Sequence, residues 1–369
     1  MTNLNFADLD RCFRNNDFPS IENDNKGIRF LKLRSMSRKA TMEEFCEIHN
    51  IDIQALGSRE YFQHIFNLDA VLDEQINEFI NLKYQDERQE RVDNQDYLVD
   101  QMIRLKHFDW GGSFGNSLEK NIVNNYVKKI QSYDQINEEI EGSLLSSLRG
   151  YTLNSWYNHW TSILIEDLFK DHQAVLPTVG LVKKIDFFIN DIPFDLKVTY
   201  FPEQLLADKL RESGYGNELT MLKRICRQLD IFIPTDLKAK GLKLHLHSIV
   251  SEDQREEAKE FIATLKEHKR DIIAEAEENP AELKKWFYEN QGEARFDASN
   301  RFFLVLTDET DMTNSWKLKR NIVFLRKKIN EHLDNLMMDM TSLETEFYWY
   351  EDQNTYNCKS DILFLKYGE

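Results

Sequence analysis

From Ile185 to Tyr200 the chain reads IDFFINDIPFDLKVTY, and its apolar residues fall on nearly every second position. This is the two-residue period of a β-strand, whose successive side chains point to opposite faces. Ile185, Phe187 and Ile189 share one face of a first strand, and Lys184, Asp186 and Phe188 share the other. Asn190-Asp191-Ile192-Pro193 supplies turn chemistry, after which Phe194, Leu196, Val198 and Tyr200 alternate with Asp195, Lys197 and Thr199. The pattern predicts a β-hairpin with one apolar face, its other face gathering Asp186, Asp195 and Lys197.

Helical spacing precedes the hairpin. Trp156, Trp160, Ile163, Leu164 and Phe169 recur as on one face of a helix over 151–172, with Glu166 on a stripe shared with His159 and Ser162. Ala174 to Pro177 predicts a short strand closed by the proline. Further back, Met42 to His49 reads as a short helix capped by Thr41, and Leu68 to Lys106 as a charged helix whose run YQDERQERVDNQD is an exposed face. HFDWGGSFGN, residues 107–116, breaks the pattern and lacks the GK[ST] of a phosphate-binding loop.

After the hairpin, residues 203–229 predict two helices broken at Gly214-Tyr215-Gly216, Leu242, Leu244 and Leu246 alternate as in a short strand, and residues 252–289 form long charged helices. Phe302 to Leu306, FFLVL, has the continuous apolar character of a strand buried on both faces. A helix over 313–336 and strands over 344–350 and 361–365 finish the chain, the strands at a sheet edge or in a dimer contact. The whole predicts an α/β protein with a mixed sheet built on strands 173–177, 181–189, 192–200 and 301–307. Residues 1–150 form a mostly helical region suited to recognition or dimerisation, and 151–369 an α/β domain with a helical insertion around 203–297.

A chain of 369 residues with 41% hydrophobic and 12% aromatic content can bury a large core. It has neither the apolar run of a membrane span nor the start of a signal peptide, so it is expected to be cytoplasmic and free of membrane. Cys12, Cys46, Cys226 and Cys358 are spaced too widely for a zinc knuckle or a disulfide framework. The net charge of -17 opposes nucleic-acid binding by the chain as a whole, so any such contact must come from a local basic surface. Lys317, Lys319, Arg320, Arg326, Lys327 and Lys328 provide one on the helix 313–336. Lys183 and Lys184 stand beside the hairpin, and with Lys319, Arg320 and Lys327 they are the candidate DNA contacts.

Two carboxylates and a lysine on one rigid surface suit metal-assisted phosphodiester cleavage. Hard carboxylate oxygens bind Mg²⁺, which keeps several waters and accepts a substrate phosphate, and a lysine offsets charge or positions the nucleophile. With Asp186 followed by Asp195-Leu196-Lys197, the chain resembles the PD-(D/E)XK nuclease superfamily, most closely type II restriction endonucleases. Asp186 matches the first acid and Asp195-Leu196-Lys197 the D-x-K; the family's proline before the first acid is Ile185 here. The helix bearing Glu166 stands where the family places a glutamate-bearing helix before the hairpin.

The resemblance implies a restriction-endonuclease-like core and a Mg²⁺-dependent endonuclease for double-stranded DNA, with Mn²⁺ as a substitute. Asp186, Asp195 and Glu166 would be metal ligands and Lys197 would position or deprotonate water. It further implies a homodimer, since one such site per chain cuts one strand, and a cognate DNA methyltransferase if the enzyme belongs to a restriction-modification system. An RNA-cutting or phage-defence nuclease of the same fold, and a non-catalytic acidic interaction protein, are the alternative readings.

Overall fold

The computed structural model describes residues 2–106, 122–182, 184–235, 237–290, 299–337, 340, 343–350 and 353–368. The predicted glycine-rich break at 107–116 lies outside them, as does Lys183. Six helices come first: α1 (Phe6–Arg14), α2 (Phe18–Glu22), α3 (Gly27–Ser35), α4 (Lys39–Ile48), α5 (Tyr61–Asn67) and α6 (Asp73–Ile103). Their apolar faces close on a core that includes Leu9, Ile21, Phe30, Phe45, Ile65 and Ile76, with Phe6 packed edge-on against Phe62 at 4.8 Å. Helix α4 starts at Lys39 with Arg38 in extended conformation at its cap, so Thr41 lies within the helix instead of capping it.

The charged run in α6 is exposed at most of its positions, as expected, with exceptions on one side. Tyr84 and Arg88 are buried, because this face docks on the next long helix rather than on water. Helix α7 (Tyr133–Glu139) and a π-helical turn lead into that helix, α8 (Leu145–Lys170), which runs without interruption across residue 150.

Strands β1 (Val175–Val182), β2 (Ile185–Ile189) and β3 (Ile192–Tyr200) form an antiparallel meander. The hairpin register pairs Phe187 with Phe194, Phe188 with Pro193 and Ile189 with Ile192. Only Asn190 and Asp191 make the turn, at φ 49° and 62°, the left-handed pair that a two-residue hairpin requires. Pro177 does not close β1; it pairs with Phe187 on the sheet's edge strand, where a missing N–H costs no ladder bond. The strand expected over 181–189 is divided at Lys184, whose φ of 67° turns the chain.

Helices α9 (Glu203–Glu212), α10 (Glu218–Gln228), α11 (Ala239–Glu252), α12 (Glu256–Glu278) and α13 (Pro280–Asn290) follow. The predicted strand at 242–246 is therefore helix α11. Leu242, Leu246 and Val250 recur every four residues and enter a core with Leu222, Cys226 and Ile262, whereas Leu244, which a strand would have placed with them, is exposed.

Strand β4 (Arg301–Asp308) is buried along its whole length, as its apolar run predicted. A 3₁₀ helix (Met312–Arg320) and helix α14 (Ile322–Leu336) replace the single predicted helix, with Asn321 between them. β5 (Glu344–Trp349) and β6 (Asn354–Tyr367) complete a six-stranded mixed sheet of order β1-β2-β3-β4-β6-β5, with β3, β4 and β6 parallel. Of these last two strands β5 lies at an edge, and β6, expected there too, is interior.

One face of the sheet is covered by α8 and α14 through Phe169, Phe187, Phe194, Phe302, Leu325 and Ile329. The other face is covered in two parts. The N-terminal helices pack on Val182, Ile185 and Phe188 of β1 and β2, and the α9–α13 insertion packs Phe287 and Tyr288 on Phe303, Val305 and Ile362 of β4 and β6. Between these cores runs β3, whose residues on that face are Asp195, Lys197 and Thr199. The sheet thus leaves a polar seam where two helical masses meet.

Gly180 fixes the first of those masses to the sheet. A Cβ there would stand 2.5 Å from the Ser35 carbonyl oxygen at the end of α3, and backbone at that position cannot swing aside. Gly180→Ala is expected to cost about 1–3 kcal/mol, as overpacking does, which would show as a lower urea midpoint with an unchanged slope.

Candidate active site

One step beyond the Phe187–Phe194 pair, Asp186 stands across from Asp195 where β2 and β3 part. Residues directly opposite on adjacent strands hold their Cβ atoms about 5 Å apart. The Leu196 N–H donates to Asp186 Oδ2 at 2.7 Å, and the Thr178 hydroxyl of β1 donates to the Asp186 carbonyl at 2.8 Å. Lys197 Nζ donates to Asp195 Oδ1 at 2.6 Å. The predicted trio is therefore joined at one point of the sheet.

Glu166 on α8 lies near enough for its charge to act on Asp186, and its own carboxylate is taken by Lys170 one turn on. Helix α8 is clamped by α6: Arg91 makes two bonds of 2.8 Å to Asp167, and Arg88 binds Asp171 at 2.8 and 3.0 Å. Tyr84 and Arg326 add bonds of 3.0 Å to Asp171. Two-pronged guanidinium–carboxylate pairs fix direction as well as distance, so the clamp orients the helix turn that bears Glu166.

Burial raises the Asp186 carboxyl from its usual range to about 7, with the charges of Glu166 and then Asp195 adding to the rise and the Leu196 N–H and Lys170 opposing it. Between the unfolded value near 4 and about 7, the folded protein holds a proton that the unfolded chain has released, so this group's effect on stability becomes more unfavourable as pH rises, and is complete above about 7. Asp186→Asn keeps an acceptor for Leu196 and removes the charge. It should stabilise the metal-free protein by on the order of 2 kcal/mol at pH 8 and by almost nothing at pH 3.5, by chemical denaturation in chelator.

Carboxylates held together at such a cost suit a hard cation, which would relieve their repulsion. Among the described residues no three His, Cys, Asp or Glu side chains are gathered as a ready-made metal cage. Mg²⁺ does not call for one, since it binds through one or two carboxylates and keeps its waters. Asp186 and Asp195 are two carboxylates of that kind.

The predicted basic surface is placed differently. Lys319 is buried, donating to Asn158 Oδ1 at 3.1 Å and lying 5.4 Å over the Tyr200 ring, and Arg320 donates to the Met102 and Leu105 carbonyls at 2.8 and 3.1 Å. The break at Asn321 turns both inward, which a continuous helix would not have done. Lys327 is exposed beside Glu331, and Lys184 stands 5.6 Å over the Phe18 ring.

The sequence did not reveal Arg301. It starts β4 beside Asp195, its guanidinium lies 5.1 Å over the Tyr288 ring, and its Nε is 3.6 Å from Asp195 Oδ2. A charge at the head of a run as apolar as FFLVL was the available signal. Asn300, beside it, accepts the Asp195 N–H at 3.1 Å through its carbonyl and donates to Glu22 at 2.8 Å through its side chain. Burial raises the Glu22 carboxyl to about 7, against the lowering effect of that bond.

No protein-family model, curated protein or solved structure matches the chain. Among the described residues no helix is long and apolar enough to cross a membrane.

Proposed function

We propose that the chain is a Mg²⁺-dependent endonuclease of double-stranded DNA with a restriction-endonuclease-like core. The observation that carries this reading is the meeting of Asp186, Asp195 and Lys197 where β2 and β3 part, with Glu166 presented from the helix before the meander. Asp186 and Asp195 would hold the cation, with Glu166 as a direct or water-mediated ligand. Mg²⁺ so bound would polarise a phosphoryl oxygen and lower the pKa of a coordinated water. Lys197 would orient the attacking water through its ammonium and offset charge on the phosphate, while the Leu196 N–H keeps Asp186 turned into the site.

With Lys319 and Arg320 turned inward, Lys327 stays exposed on α14, beside Glu331. One constellation per chain calls for two copies to break both strands, so a homodimer belongs to this reading. Incubating the protein with duplex DNA, single-stranded DNA and RNA, with Mg²⁺ and with chelator, tests it. Mg²⁺-dependent cutting of duplex DNA is expected; cutting of RNA alone would reassign the substrate, and no cutting of any would remove the catalytic reading.

A further inference from the structure

Asp195 has two cationic neighbours, and they differ in one respect that decides their roles. Arg301 approaches Oδ2 at 3.6 Å with a side chain that is 2% exposed, held beneath Tyr288. Lys197 grips Oδ1 at 2.6 Å with a side chain that is 36% exposed. The guanidinium is locked in the core beside a strand-paired neighbour. The ammonium ends a flexible stem at the seam, two residues along the same strand, and can leave by rotating about its own bonds.

We propose that Lys197 is an exchangeable occupant of the cation position on Asp195: it neutralises Oδ1 when no divalent cation is bound and yields that oxygen when one arrives, while Arg301 remains as the permanent partner. The exchange rests on the nuclease reading only in its consequence, that the released ammonium becomes available to a phosphate oxygen or the attacking water. Its physical basis is competition. Oδ1 cannot serve a short ion pair and a metal ion at once without giving up part of each, and an uncompensated carboxylate at a largely buried position is costly. Lys197 spares the metal-free protein that cost, next to an Asp186 already burdened by burial and by its acidic neighbours. Arg301 ensures that the Asp195 carboxylate is never left without a cation during the change.

Two measurements on the full chain test this with Mn²⁺ as the probe. The first is pulse labelling of lysine amines, read by mass spectrometry with exposed Lys327 as internal reference. Lys197 is expected to label faster when Mn²⁺ is present, because an amine freed from its short ion pair with Asp195 lies open to the reagent at the seam. Protection or no change would overturn the exchange.

The second is calorimetric titration of Mn²⁺ into wild type and Lys197→Met. The variant should bind about fivefold more tightly or better, the gain expected when an ion pair whose lysine end is partly exposed no longer competes. Equal or weaker binding by the variant, or no binding by either protein, would overturn the proposal. The outcomes separate it from the nuclease reading: faster labelling and tighter variant binding without cleavage of any nucleic acid would leave the exchange standing and remove the enzyme. Mg²⁺-dependent cleavage with neither effect would do the reverse.

Discussion

Asp195→Asn is expected to lower Mg²⁺-dependent cleavage by about a thousandfold or more, the scale on which a group that organises charge in a transition state is missed. The substitution keeps the shape of the side chain and an acceptor for Lys197 or Arg301, so it removes the anion while retaining most of the packing. Alanine would be a poorer test, because it would leave the Arg301 guanidinium buried with its neighbouring carboxylate gone. Single-turnover assays at saturating DNA would separate the loss of chemistry from any loss of binding. A variant within about tenfold of wild type would remove Asp195 from the site, since tenfold is only about 1.4 kcal/mol of barrier.

The largest expected effect on stability lies in the clamp on α8. Asp167 is buried, and it accepts two bonds of 2.8 Å from Arg91 and one of 3.3 Å from Tyr84. Asp167→Ala would remove the carboxylate from Arg91 and from Arg88, which stands 3.5 Å away, and breaking a buried pair from one end costs about 3–5 kcal/mol. Exposed ion pairs elsewhere, such as Lys327 with Glu331, should contribute about 0–1 kcal/mol each. Urea denaturation of Asp167→Ala is the check, and a loss below about 1 kcal/mol would mean that the clamp is held by Arg88 and Asp171 without it. Because Glu166 adjoins Asp167, cleavage should fall as well, even under conditions where the variant remains folded.

The hairpin was legible because strand alternation is a local property. Phe187, Phe194, Leu196 and Val198 read correctly, whereas Ile185 packs with Phe188 on the N-terminal helices, and the two-residue turn that sets Asp186 against Asp195 came from the structure. What failed was decided by partners distant in sequence. Leu242, Leu244 and Leu246 satisfy a two-residue period, and Leu242, Leu246 and Val250 a helical one; the cores of α10 and α12 select the helix. In the mostly solvated run from Tyr84 to Asp96, the burial of Tyr84 and Arg88 depends on Asp167 and Asp171, which α8 supplies from far along the chain. Lys319 and Arg320 read as surface charge because the break at Asn321 is not written in any Gly or Pro. Arg301 meets Asp195 only across a parallel pairing of β3 with β4, a contact between residues far apart in the chain that no local pattern encodes.

The cluster's two faces, electrostatic burden and chemical use, make a single variant informative. Asp186→Asn should be more stable than wild type above neutral pH and yet inert, so its loss of activity could not be ascribed to unfolding. The decisive measurement is cleavage of supercoiled plasmid DNA by both proteins at pH 8, with Mg²⁺ and with chelator, alongside their denaturation curves. Nicked or linear DNA from wild type with Mg²⁺ only, and none from the stabilised variant, is the predicted result; cleavage by Asp186→Asn at the wild-type rate would contradict it.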